Sequence, residues 1–315
     1  MKNKIIVISG VTASGKSGLA LQLAKQINGV IINADSMQVY KGLPILSAQP
    51  TKDEQNQVEH LLYSHLKPTQ NCSVGIWLEI VQKAINETLA NNKTPIIVGG
   101  TGMYIAKLIE GILEMPDISK ETRQKTTKLY DEIGYEEFYK LTSDIDNEAV
   151  LKLSQNDKHR LMRIYEMFME TGKKLSDIKK QPNQIFYPRE QFFHINLNPQ
   201  RELLYEKCNK RFEKIIDKGG LDEVKKFIKD YPEIIQNPQN YSISKTLGLR
   251  EIIQYIKGEI NWDEMIEVST KITRNYAKRQ YTWFRNQLKD KDLVIEELLN
   301  KKNVVLTVEK ILKRL

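Results

Sequence analysis

A chain of 315 residues, 40% of them hydrophobic and 28% charged, has material for two cores, and two cysteines placed far apart without a CxxC exclude a disulfide framework and a zinc knuckle. No secretory leader and no apolar run of membrane-spanning length is legible, so a cytoplasmic protein without membrane association is expected. The net charge of +8 suits a phosphate-rich partner, but a lysine- and asparagine-rich background gives the same sum, so the positions of the cations must decide.

The first predicted element is a buried strand, because Ile5, Ile6, Val7 and Ile8 are β-branched and apolar on both faces. It runs into Gly10-Val11-Thr12-Ala13-Ser14-Gly15-Lys16-Ser17, and a helix-like segment follows from Ser17 to Ile27. This is the P-loop pattern in its strand–loop–helix context: glycines let backbone N–H groups curl around an anion, and the helix start adds free N–H groups and a positive dipole end. Lys16 is expected to reach the terminal phosphate, and Ser17 to offer its hydroxyl to a magnesium ion held by the same phosphates.

Val30–Asn33 reads as a second buried strand that delivers Asp35, Ser36, Met37 and Gln38 at its carboxyl end, the edge where open α/β sheets bind ligands. Thr51–Glu54 has capping-box form and predicts a short helix, and Leu61–Leu66 has strand composition. Ser73 starts a longer helix with Ile76, Ile80, Ala84 and Leu89 on one face. A third buried strand, Pro95–Val98, ends in Gly99-Gly100-Thr101-Gly102, where the glycines serve either a tight turn or the close approach of a substrate.

From Pro116 to Pro182 the pattern is charged and helix-forming, with a helix opened by Asp157 in which Leu161, Tyr165 and Phe168 face inward and Arg160 and Arg163 do not. Phe192–Leu197 returns to strand character. Helices are then expected from Pro199 to Lys218, around Leu221–Lys229 and over Ser242–Lys257, with a peripheral strand and helix in Leu293–Leu315. The run Arg274–Arg285 interleaves cations with aromatics at helical spacing, a mixture that suits RNA; packing of Trp283 and Phe284 into the core accounts for the rings equally well. The four histidines, His60, His65, His159 and His194, are too scattered for a metal site. The fold class is therefore α/β: a P-loop NTPase-like parallel sheet flanked by helices, with residues 1–115 as the first part of the core, 116–185 as a mainly helical insertion, and 186–315 as the return to the sheet and a helical C-terminal region.

GVTASGKS, NADSMQVY, VGGTGMY, NDKHRLMR, RELLYEKCNKRF and AKRQYTWFR stand in this order over nearly the whole chain, and together they resemble the tRNA dimethylallyltransferases, or tRNA isopentenyltransferases. The resemblance implies transfer of dimethylallyl from dimethylallyl diphosphate to N6 of adenosine 37 in the anticodon stem-loop of tRNA. A carboxylate at the crevice must then take the amine proton, for which Asp35 is the candidate, while the P-loop, Lys16 and Mg2+ hold the departing diphosphate. By matching motifs, Asp35, Ser36, Met37 and Gln38 resemble the segment that receives the adenine, Thr101 a tRNA contact beside it, and Arg211 an arginine associated with the diphosphate. Arg123, the run His159, Arg160, Leu161, Met162 and Arg163, the stretch Lys245–Arg250, and Asn275–Thr282 with Lys278, Arg279 and Gln280 fall where such enzymes touch tRNA. Val11, Glu59, His159 and Leu249 stand where the family more often has proline, histidine, glutamine and tyrosine. Two other classes also use such a loop, an ATP-dependent small-molecule or nucleoside kinase and an RNA-binding protein without catalysis. A monomer is the simplest expectation.

Overall fold

The computed structural model describes residues 4–288 and 290–315. In chain order the elements are β1 (Ile5–Gly10), α1 (Lys16–Gln26), β2 (Gly29–Asn33), α2 (Lys52–Gln57), β3 (His60–Leu61), α3 (Val74–Ala90), β4 (Thr94–Gly99) and α4 (Gly102–Glu110). There follow α5 (Lys120–Val150), α6 (Lys158–Thr171), α7 (Leu175–Ile178), β5 (Phe192–Leu197), α8 (Arg201–Asp217), α9 (Gly220–Asp230), α10 (Pro232–Gln236), α11 (Leu249–Ile256), α12 (Trp262–Asn286), β6 (Leu293–Ile295) and α13 (Val304–Leu312).

The strands form one six-stranded sheet in the order β3-β2-β4-β1-β5-β6, and each pairing is parallel. All six residues of β1 are buried, as its apolar alternation on both faces requires. Ile6 and Ile8 join one core with Leu19 and Leu23 of α1 and Val308 and Ile311 of α13. Elsewhere α3 packs on β2 and β4, and α12 on β1. The carboxyl ends of β1, β2 and β4 thus lie along one edge, and the loops they feed carry the candidate residues.

Four sequence expectations change. Leu61–Leu66 is strand only at His60–Leu61, because Leu62 and Ser64 take positive φ (64° and 45°), which an extended strand does not allow. On α3 the inward residues are Trp77, Leu78, Val81, Ala84 and Ile85, while Ile76 is exposed; the indole N–H donates to Asn33 O, which fixes the rotation of the helix. Ser242–Lys257 is not one helix: a 3-10 turn over Ser242–Lys245 is separated from α11 by Gly248 at φ 84°. The last change concerns the insertion.

The chain separates into two compact units, Met1–Ile109 with Phe186–Leu315, and Glu110–Ile185. The second starts ahead of Pro116 because its two stems pair, with Ile112 N–H donating to Gln184 O at 3.2 Å and Gln184 N–H to Ile112 O at 2.8 Å. It has its own core of Phe138, Val150, Leu161, Ile164 and Met167. Its long helix α5 is interrupted at Gly134 and Asp146. Among the described residues no helix is long and apolar enough to cross a membrane.

Candidate active site

The loop after β1 is a cradle with open donors. Gly15 precedes α1 at φ 99°, and no side chain caps that helix, so its first N–H groups are available to an anion. Ser14 Oγ is buried with no hydrogen-bond partner, an orphan polar atom of the kind a ligand satisfies. Lys16 Nζ donates to Val11 O at 2.7 Å. Burial pushes its ammonium down to about 8; Asp35 pulls it back up and Arg211 pushes it further down. Burial likewise lowers the Arg211 guanidinium, against the pull of Asp35. Lys16, Arg211 and Asp35, drawn from α1, α8 and the loop after β2, therefore lie in one another's field, although no ion pair joins them among the described residues.

Asp35 is held by its own loop. Asn33 Oδ1 accepts the Asp35 N–H at 2.8 Å, and Asp35 Oδ1 accepts the N–H groups of Met37 (2.9 Å) and Gln38 (3.3 Å). One carboxylate oxygen is thus fixed by the backbone and Oδ2 stays outside these bonds, an arrangement that orients a base without consuming it. Thr101 Oγ1 accepts the Ser36 N–H at 2.9 Å, and Thr101 N–H donates to Ala34 O at 3.2 Å, so the loop after β4 braces the acid loop. The Gln38 amide donates to Ser47 O and Ala48 O, and the Thr246 hydroxyl lies 3.6 Å from Met37 Sδ, which brings the turn carrying Lys245 against the same segment.

The glycines after β4 answer to α12. A Cβ on Gly100 would stand 2.3 Å from Gln280 Nε2, and one on Gly102 2.1 Å from Trp283 Cε3, so their missing side chains admit the helix rather than a tight turn or a substrate. Thr273, Ala277, Gln280, Tyr281 and Phe284 form the buried stripe of α12, and Trp283 is half-buried; the inward reading of its rings thus holds for Phe284 and Tyr281. Lys278 and Arg279 are exposed, with the Arg279 guanidinium 5.7 Å from the Tyr276 ring centre. Gln280, expected among the tRNA contacts, is instead buried, and its amide is bonded to the backbone of Thr12 and Gly100.

In the unit Glu110–Ile185, His159 and Arg160 are exposed on α6, and Arg163 approaches Glu166 to 3.9 Å, a carboxylate that also feels Arg123. Leu161 and Met162, expected among the tRNA contacts as well, pack into that unit's core, because a helix cannot turn five successive residues to one side. Lys245 and Arg250 are exposed. Among the described residues no cluster of three metal-ligating side chains occurs, and His194 is a packing residue: its Nε2 pairs with Ser9 Oγ at 2.7 Å inside the sheet, and burial lowers its basicity to about 4.

Sequence reading missed Asn33 as the clamp of Asp35, although Asn two residues before Asp at a strand end is an Asx-turn signal. Gln280 was picked out for a different role, as a tRNA contact, although a lone amide on an apolar stripe is the signal of an internal clamp. Tyr63 and Tyr276 also feel Asp35, and burial raises both phenols well above their ordinary value.

A family model described as IPP transferase matches residues 38–287. A curated tRNA dimethylallyltransferase of Wolbachia pipientis wMel is 41% identical over 93% of the chain and 96% of that protein, and one of Rickettsia massiliae is 39% identical over 98% and 83%. Among solved structures, a full-length tRNA isopentenylpyrophosphate transferase of Bacillus halodurans superposes with a TM-score of 0.68 at 27% identity, covering 99% of this chain and 97% of its own. A eukaryotic dimethylallyltransferase described as acting on tRNA superposes at 0.83 with 25% identity, covering 98% and 77%.

Proposed function

Because the chain belongs to the IPP transferase family, whose enzymes are tRNA dimethylallyltransferases, we propose that it alkylates N6 of adenosine 37 in tRNA with dimethylallyl diphosphate. The observation that carries the assignment of roles is the meeting of one open cradle, one fixed carboxylate and two cations at a single sheet edge. The adenine amine attacks the allylic carbon of the donor, a C–N bond forms, and the C–O bond to diphosphate breaks with its electron pair leaving on oxygen. The amine is a poor nucleophile, and Asp35 Oδ2, the oxygen outside the turn, takes its proton as the bond forms. Charge gathers on the departing diphosphate, where the uncapped N–H groups at the head of α1, the Ser14 hydroxyl, the Lys16 ammonium and Arg211 stabilise it.

Magnesium fits this donor set in one manner. Mg2+ keeps most of its shell as water and substrate phosphate and needs few protein ligands, so the exposed Ser17 hydroxyl at the head of α1 is a sufficient anchor. When bound it supplies further positive charge to the leaving group. Ser36, Met37, Gln38 and Thr101 line the place where the base is received, and an adenine drawn out of a loop pays less for unstacking than one in a duplex. Arg123, His159, Arg160, Arg163, Lys245, Arg250, Lys278 and Arg279 are the polar residues assigned to the tRNA. A monomer acting in the cytoplasm fits this substrate.

Asp35→Ala tests the chemistry. Transfer from dimethylallyl diphosphate to unmodified tRNA should fall by roughly a hundredfold or more, while tRNA affinity, which is spread over many other contacts, stays within a few-fold. A variant as active as the wild type would remove Asp35 as the base.

A further inference from the structure

Gln280 is 5% exposed and sits on the buried stripe of α12, where its neighbours Ala277, Tyr281 and Phe284 are apolar. Both ends of its amide are used: Oε1 accepts the Thr12 N–H at 2.8 Å, and Nε2 donates to Gly100 O at 2.9 Å. Those two backbone groups belong to different parts of the site. Thr12 opens the phosphate cradle, whereas Gly100 precedes Thr101, whose hydroxyl oxygen takes the Ser36 N–H next to Asp35.

We propose that Gln280 is a positioning residue that holds the diphosphate cradle and the acid-bearing loop at a fixed separation, so that the allylic carbon and the adenine amine meet in line. The inference rests on the reading of the reaction given above. An amide of this length is required, since one end must accept and the other donate. Glutamate has the same shape but sets an acceptor against Gly100 O, and methionine has the length with neither capability. Leaving a buried N–H and C=O unpaired loosens both loops, and a misplacement of reacting groups by about 1 Å slows a bimolecular transfer by up to about a hundredfold.

Gln280→Glu and Gln280→Met separate this role from the others. Turnover at saturating substrates should fall about 10- to 100-fold in both, while the affinity for unmodified tRNA and its salt slope stay at the wild-type values. Amide hydrogen exchange should quicken over residues 10–17 and 99–103 together in Gln280→Met, and over 99–103 in Gln280→Glu, whose carboxylate still accepts the Thr12 N–H. Unchanged turnover, a weakened tRNA affinity with a shallower salt slope, or failure of both variants to fold would each overturn the proposal. The exchange measurement needs no activity. A wild-type protein inert toward tRNA would therefore sink the reaction and leave the bridge testable, whereas normal exchange in the variants would sink the bridge alone.

Discussion

Lys16 is the residue on which the charge balance of the site turns. Its ammonium lies in the field of Arg211, with Asp35 as the compensating charge, and burial sets it at about 8 rather than the usual 10.5. Between those two values the unfolded chain holds more protons than the folded one, so Lys16 makes stability rise with pH across that window, and its full cost is present below about 8. Ligand affinity runs the other way. Calorimetric titration with inorganic diphosphate should show binding weakening as pH climbs through about 8, where the cation is lost, and Lys16→Met should bind more weakly with no such step. A step retained in Lys16→Met would move the titrating group elsewhere. Lys16 and Asp35 were legible in the sequence because a motif and a strand end fix their places. Asn33 and Gln280 were not, since an amide becomes a clamp only when the chain brings a donor and an acceptor to its two ends.

At the scale of elements, α12 does two jobs on two faces. Its inward stripe seals the sheet and reaches the loops after β1 and β4, while Lys278 and Arg279 stay exposed. Arg279→Ala should therefore weaken tRNA binding modestly and reduce the slope of log affinity against log salt by about one ion, as expected for loss of one phosphate contact. Equal slopes would show that Arg279 meets no phosphate and only covers the Tyr276 ring. The strands β1, β2 and β4 were readable because burial on both faces leaves continuous β-branched runs, and β5 because aromatic and aliphatic residues dominate it. The errors fell where local sequence does not govern: Leu62 and Ser64 take left-handed backbone against their intrinsic preference, and the rotation of α3 is set by an indole bond to a neighbouring strand. Within α6, motif resemblance carried over a contiguous run, whereas helical geometry divides it into exposed His159 and Arg160 and buried Leu161 and Met162.

For the molecule as a whole, the order β3-β2-β4-β1-β5-β6 sets the function, because it places the strand that feeds the cradle next to the strand whose loop braces the acid. Glu110–Ile185 keeps its own core, and its acidic residues slightly outnumber its lysines and arginines, so the net positive charge of the chain resides in the unit that carries the sheet. A phosphate cradle alone is equally suited to ATP, and the distinction lies in what leaves: an alkyl transfer expels diphosphate, a phosphoryl transfer yields a phosphorylated acceptor and ADP. Counting products is the most direct test. With dimethylallyl diphosphate, magnesium and unmodified tRNA, and no nucleoside triphosphate, alkyl transfer predicts one diphosphate released for each isopentenyladenosine found by mass at position 37. A tRNA of unchanged mass, or turnover that appears only with ATP and yields ADP, would contradict it.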